Sequence, residues 1–143
     1  METITSSARE TQELGNKIGS SLKGGEILAL TGDLGSGKTT FIQGLAQGLG
    51  VKGRIVSPTF ILMRTYELAH EKNFYHIDLY RLEGNLESEI ENLGIPDVWE
   101  KEDNITAIEW AEKIKDILPK NVTWIKFENI GGEKRKITIN EAK

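Results

Sequence analysis

Glu26-Ile27-Leu28-Ala29-Leu30-Thr31 runs directly into Gly32-Asp33-Leu34-Gly35-Ser36-Gly37-Lys38-Thr39-Thr40, and this junction decides the fold. The first six residues form a short, nearly continuous apolar run, the pattern of a strand buried on both faces. Gly32, Gly37, Lys38 and Thr39 then match G-x-x-x-x-G-K-[ST] in full. Phe41, Ile42, Leu45, Ala46 and Leu49 follow at helical spacing, and Gly50 closes that helix. The spacing has a physical basis. The loop must wrap a β-phosphate with inward-pointing backbone N–H groups, and its glycines permit positive φ and close approach. The helix that begins near Lys38 adds its N-terminal partial positive charge. Lys38 can bridge the β- and γ-phosphates, and the Thr39 hydroxyl can ligate Mg²⁺. The stretch therefore predicts a site for a nucleoside triphosphate.

Outward from this unit, Ala8–Leu22 carries Leu14, Ile18 and Leu22 on a four-residue spacing and reads as an amphipathic helix ended by Gly24-Gly25. Phe60–Leu68, Phe74–Tyr80 and Ile105–Trp110 read as strands, and Leu86–Leu93 as a helix stopped by Gly94 and Pro96. Val122–Ile130 and Lys136–Ile139 flank Gly131-Gly132 and read as a hairpin. The order predicts an α/β fold: a three-layer P-loop NTPase domain with a mixed, mainly parallel sheet and a C-terminal β-hairpin, spanning residues 1–143 as one domain.

Composition removes several classes of function. The absence of cysteine excludes disulfides, thiolate zinc sites, iron–sulfur clusters and cysteine nucleophiles. No apolar run approaches a transmembrane length, and the first residues lack the basic and apolar regions of a secretory signal, so the expected location is the cytoplasm, with no membrane association. Charge is uneven. Residues 83–116 hold eleven acids against three bases, a net −8, so the rest of the chain is net positive although the whole carries −4. That segment repels a phosphate backbone, which argues against a nucleic-acid groove there. It reads as a solvated acidic face, with a docking surface for a basic partner as the alternative.

A phosphate loop needs a carboxylate at the tip of a neighbouring strand, to hold Mg²⁺ or polarise water. Asp78 ends Phe74-Tyr75-His76-Ile77, and Glu109 ends Ile105-Thr106-Ala107-Ile108; the residues alone do not rank them. His76 lies two residues before Asp78, on the same side of a strand. With His70 the only other histidine, it reads as a hydrogen-bonded, partly buried histidine rather than a transition-metal ligand. Ser57-Pro58-Thr59-Phe60 places Thr59 on a polar turn, where a hydroxyl can read a γ-phosphate; a plain strand-start turn is the competing reading. No guanine-reading Asn/Thr-Lys-x-Asp segment is present, Asp78 starts no D-x-x-G, and the five arginines are scattered singly. What remains is a small ATP-binding module that works with a partner.

The blocks Gly32–Thr40, Ser57-Pro58-Thr59-Phe60, His76-Ile77-Asp78-Leu79-Tyr80-Arg81 and Ile108-Glu109-Trp110 together resemble the TsaE (YjeE) family in order and approximate spacing, over about residues 5–140. The resemblance implies a small ATPase that supports bacterial tRNA threonylcarbamoyladenosine (t6A) modification. Such a protein acts with TsaB and TsaD, the latter the threonylcarbamoyl transferase, meets tRNA only through that complex, and is a monomer when alone. ATP turnover then serves repeated cycles rather than the transfer chemistry. The resemblance assigns ATP to the loop residues Asp33, Leu34, Gly35, Ser36, Gly37, Lys38, Thr39 and Thr40, with Thr11 and Arg135 as looser matches. It assigns Mg²⁺ to Thr39 and Glu109, and catalytic roles to Lys38, Asp78, Glu109 and Thr59, with Trp110 as the adjacent tryptophan. Ser36 stands where many members have alanine, a change compatible with phosphate binding. Two other readings stay open: a nucleotide-gated binding module whose hydrolysis is incidental, and a small-molecule kinase.

Overall fold

The computed structural model describes residues 1–141 except Leu34, Arg54, 56–62, Arg81 and Asn85. Seven strands form one sheet in the order β1-β7-β6-β2-β5-β4-β3. They are β1 (Glu2–Thr5), β2 (Ile27–Thr31), β3 (Met63–Glu67), β4 (Asn73–Asp78), β5 (Asn104–Glu109), β6 (Thr123–Gly131) and β7 (Lys134–Asn140). The four central strands, β6, β2, β5 and β4, run parallel; β3 and β7 are added antiparallel at the two sides, and β1 pairs antiparallel with β7 at the outer edge. This is the mixed sheet and C-terminal hairpin expected from the sequence. The two innermost strands also show why that expectation worked: β2 is buried at Ile27, Leu28, Ala29 and Leu30, and every residue of β5 is buried, as parallel strands covered on both faces must be.

The helices divide between the two faces. Leu28, Leu30, Phe74, Ile105 and Ala107 point to one side, where Phe41, Ile42, Leu45 and Ala46 of α2 (Lys38–Leu49) cover them and Leu14 and Ile18 of α1 (Ala8–Ser21) pack alongside. Ile27, Ala29, Ile77 and Ile108 point to the other. There they meet Leu86 and Ile90 of α3 (Leu86–Asn92), Trp99 of α4 (Pro96–Trp99) and Ile114 of a 3₁₀ helix (Ala111–Ile117). Burial of the larger of these side chains, at roughly 1.5–3 kcal/mol each, is the main stabilising contribution.

Three local features depart from the sequence expectation. Residues 2–5 form β1, whose pairing with Arg135–Thr138 of β7 no local pattern announces. Strand β5 ends at Glu109, because Trp110 turns into the left-handed region at φ 62° and starts the 3₁₀ helix. On α1 the deepest positions are Thr11, Gly15 and Gly19, and the expected stripe of Leu14, Ile18 and Leu22 is only partly buried beside them. The reason is the close approach of α1 and α2. A Cβ on Gly15 would fall on the Phe41 carbonyl oxygen and lie 2.9 Å from Leu45 N, and one on Gly44 would strike the Gln12 carbonyl. Gly15 and Gly19 on α1 face Phe41 and Leu45, while Gly44 and Gly48 on α2 face Gln12 and Asn16, so the two backbones touch directly. Ser7 caps α1 by accepting from Glu10 N, and the Glu10 carboxylate returns to Ser6 N, a reciprocal start worth about 1 kcal/mol.

Candidate functional site

Strand polarity brings the candidate residues to one sheet end. Asp78 of β4 pairs in register with Glu109 of β5, and Glu109 with Leu30 of β2, one residue before Thr31 leads into the loop. Because side chains alternate along a strand, Phe74, His76 and Asp78 share a face with Ile105, Ala107 and Glu109. That face is the one covered by α2, so both acids lie on the side from which Lys38 projects.

The loop itself is built by packing as much as by conformation. A Cβ at Gly32 would meet the Phe127 carbonyl oxygen at 2.6 Å and Ser36 Oγ at 2.9 Å, so β6 presses the first glycine into place. Gly37 is the N-cap of α2 at φ 102°, a conformation that side chains rarely tolerate. A Cβ there would fill the space between Thr11 Cγ2 and the Arg135 side chain. Thr11 and Arg135, the two looser matches, therefore flank the loop from α1 and β7. Thr11 shares a 2.6 Å hydroxyl–hydroxyl bond with Thr5 of β1, and Arg135 donates to Gly35 O at 3.0 Å and to Gly132 O and Lys134 O. Strand β1, invisible in the sequence pattern, is what seats Thr11.

Lys38 is buried, donates to the Gly32 carbonyl, and holds its Nζ 3.8 Å from the centroid of the Trp110 ring. Burial lowers its pKa below the usual lysine value, against the opposing pull of Glu109, Glu112, Asp78 and Asp33. Asp78 is half-buried and accepts from Tyr80 N at 3.0 Å. Burial raises its pKa above the usual aspartate value, the Tyr80 amide acts in the other direction, and the Glu109 carboxylate adds to the rise. Glu109 is buried and joined to His76 by a 2.7 Å Nε2–Oε2 contact. His76 is fully buried rather than partly so, and its partner is the neighbouring acid. The left-handed turn at Trp110 lays its ring between Lys38 and Tyr80, whose ring centroid is 5.4 Å away.

The residues fit a phosphate ligand. Ser36 Oγ is buried within the loop without a hydrogen-bond partner among the described residues. Thr39, Asp33 and Gly35 are exposed, and Thr40 is partly so. Among the described residues no group of three or more His, Cys, Asp or Glu side chains converges as a metal cage. Leu34 and Thr59, with the rest of Ser57-Pro58-Thr59-Phe60, lie outside the described residues. The sequence reading missed Lys113, whose Nζ donates to three carbonyls just past Asp78. Its place four residues beyond Glu109 was the only local cue.

A buried parallel strand feeding a glycine loop, a helix that starts on the last loop glycine, and acids at two neighbouring strand ends define the class: a phosphate-loop α/β domain. The family model described as "Threonylcarbamoyl adenosine biosynthesis protein TsaE" matches residues 5–137, and the chain belongs to the TsaE family. It is similar to proteins named tRNA threonylcarbamoyladenosine biosynthesis protein TsaE from several bacteria. The Synechocystis protein is 40% identical over 82% of this chain and 74% of its own length. The Bacillus subtilis protein is 35% identical over 94% and 82%, and the Rickettsia bellii protein 37% identical over 96% and 93%. The crystal structure of Bacillus subtilis YdiB superposes with a TM-score of 0.81 at 29% identity, covering all of this chain and 86% of that one. No helix among the described residues is long and apolar enough to cross a membrane.

Proposed function

We propose that this chain binds and hydrolyses ATP with Mg²⁺ as an accessory protein of t6A modification, acting with a TsaB–TsaD transferase complex in the cytoplasm. The single observation that carries the reading is the phosphate loop in its structural setting. Lys38, exposed Thr39 and the α2 N-terminus face two strand-end acids, and Thr11 and Arg135 flank the loop. Family membership supports the pathway.

In this reading the loop amides and the α2 N-terminus take the phosphates, and Lys38 leaves the Gly32 carbonyl to reach the β- and γ-phosphate oxygens. Its charge neutralises what develops on the transferred phosphoryl group. Mg²⁺, when bound, would be held by the Thr39 hydroxyl and Glu109 and would supply further charge neutralisation. Asp78 orients the attacking water, and Thr59 couples the γ-phosphate to the surface that meets TsaD. Weak turnover by the chain alone is part of this reading. The test is steady-state ATP hydrolysis with and without the cognate TsaB–TsaD pair. Near-zero turnover alone, a large rise with the pair, and its loss in Lys38→Ala are expected. Equal rates in both conditions would overturn the partner-assembled site, and turnover retained by Lys38→Ala would overturn the phosphate-loop mechanism. Many modification cycles supported by a non-hydrolysable analogue would favour the nucleotide-gated module instead.

A further inference from the structure

Strand β4 leaves the sheet through a tight turn, and that turn orients Asp78. Leu79 N extends the ladder by donating to Glu109 O at 3.2 Å, Tyr80 N folds back onto Asp78 Oδ1 at 3.0 Å, and Leu82 N closes on Leu79 O at 3.1 Å. The amides of Leu79, Tyr80 and Leu82 are thus taken by the neighbouring strand and by the turn itself, while the carbonyls of the same three residues receive donors from elsewhere. Lys113 supplies them. From the 3₁₀ helix that follows Glu109 and Trp110, its Nζ donates to Leu79 O at 3.1 Å, Tyr80 O at 3.0 Å and Leu82 O at 3.0 Å. An ammonium has three N–H donors and no acceptor, so this head group is fully committed to one turn. The same Nζ lies 5.7 Å from the centroid of the Trp110 ring, on which Tyr80 packs.

The plain alternative is a solvated surface lysine. Among the described residues Lys126 and Lys136 each make one ion pair with an exposed or partly exposed glutamate and reach no backbone carbonyl, and Lys72 reaches a single one, that of Lys23. Three convergent carbonyls from a segment more than thirty residues away are a different arrangement.

We propose that Lys113 is a positioning residue of the phosphate site. It ties the turn after β4 to the helix after β5, so that Asp78, Tyr80 and Trp110 keep a fixed relation to Glu109 and Lys38. The catalytic consequence rests on the ATPase reading above; the tethering itself does not.

Two measurements on the full chain separate these. Lys113→Met keeps the stem and removes the donors, and Lys113→Arg keeps the charge but spreads its donors over a planar fork that cannot converge on three carbonyls. Hydrogen exchange at the Tyr80 amide is expected to speed up by roughly tenfold or more in Lys113→Met, with the β2 and β5 amides unchanged. With the partner pair present, kcat is expected to fall about tenfold while KM for MgATP moves less than about threefold, and Lys113→Arg recovers part of the loss. Wild-type exchange at Tyr80 in Lys113→Met would overturn the proposal. So would a loss of kcat and KM together that Lys113→Arg matches in full. Should Lys113→Met not fold, Lys113→Gln is read by the same criteria. A wild-type chain that turns over no ATP even with the partner pair present would sink the ATPase reading and leave the exchange result to decide the tether.

Discussion

The seam between α1 and α2 and the phosphate loop are both built on glycine, for opposite reasons. In the seam, Gly15, Gly19, Gly44 and Gly48 have ordinary helical backbones and no room for a methyl group, because a carbonyl of the facing helix occupies the place of each Cβ. In the loop, Gly37 has room for a methyl at ordinary contact distances from Thr11 and Arg135, but sits at φ 102°, where a side chain is strained. One region uses glycine to bring two helices together and the other to hold a backbone conformation that side chains rarely adopt. The seam spends its glycines on stability. The strand-end site beside the loop does the reverse, holding a buried cation and a carboxylate whose ionised forms burial disfavours.

Three substitutions probe that contrast. The largest stability effect is expected from Gly44→Ala. Helix propensity alone favours alanine by about 1 kcal/mol, but the methyl must displace the Gln12 backbone, and overpacking against backbone costs about 3 kcal/mol or more. The net should lower Tm by roughly 5–10 °C in thermal unfolding, with nucleotide affinity changed only as far as folding is lost. An unchanged Tm would mean the helices separate at little cost and the seam is not tight.

Gly37→Ala is expected to cost less stability, about 1–2 kcal/mol for the strained φ, and far more binding. Its methyl enters the space between Thr11 and Arg135, so isothermal titration with ATP should show at least about tenfold weaker affinity, some 1.4 kcal/mol. Wild-type affinity would break the assignment of that space to the nucleotide.

The smallest effect is expected from Asp78→Asn, and its sign is the informative part. The folded-state pKa of Asp78 is raised above the unfolded value, so around and above that value the folded chain retains more proton than the unfolded one. Stability from this group is therefore present at acid pH and lost as pH rises through the folded pKa. Asparagine removes the loss. Tm at pH 7 should rise slightly over wild type, the difference should vanish near pH 3, and ATP turnover with the partner pair should collapse. A fall in Tm at pH 7 would show that the carboxylate stabilises the turn through Tyr80 N more than burial opposes it.

Much of this was legible from residues 26–40 together with the acids at strand ends. The buried run of β2, the loop and the α2 stripe are local patterns, and each constrains its own few residues strongly enough to be read alone. Asp78 and Glu109 could be found as acids ending apolar runs, for the same reason. Strand β1 could not, since four residues of mixed character carry no periodicity and acquire a partner only when β7 is in place. The α1 stripe of Leu14, Ile18 and Leu22 does pack against the core, but apolar spacing marks large side chains and gives no sign of the deepest positions, Thr11, Gly15 and Gly19. His76 was read as a histidine with a hydrogen bond, but which group accepts or donates depends on the register of β4 against β5. Thr59 lies outside the described residues.

The amino-acid sequence by itself determined the strand–loop–helix unit and the two strand-end acids, because these follow from backbone conformation and alternation over short stretches. Only the tertiary structure decided that Thr11 and Arg135 flank the loop, that His76 holds Glu109, that Trp110 covers Lys38, and that Lys113 closes the turn beyond Asp78. Each of these joins segments roughly 25 to 100 residues apart, and such contacts are set by strand order and register rather than by any local preference of the chain.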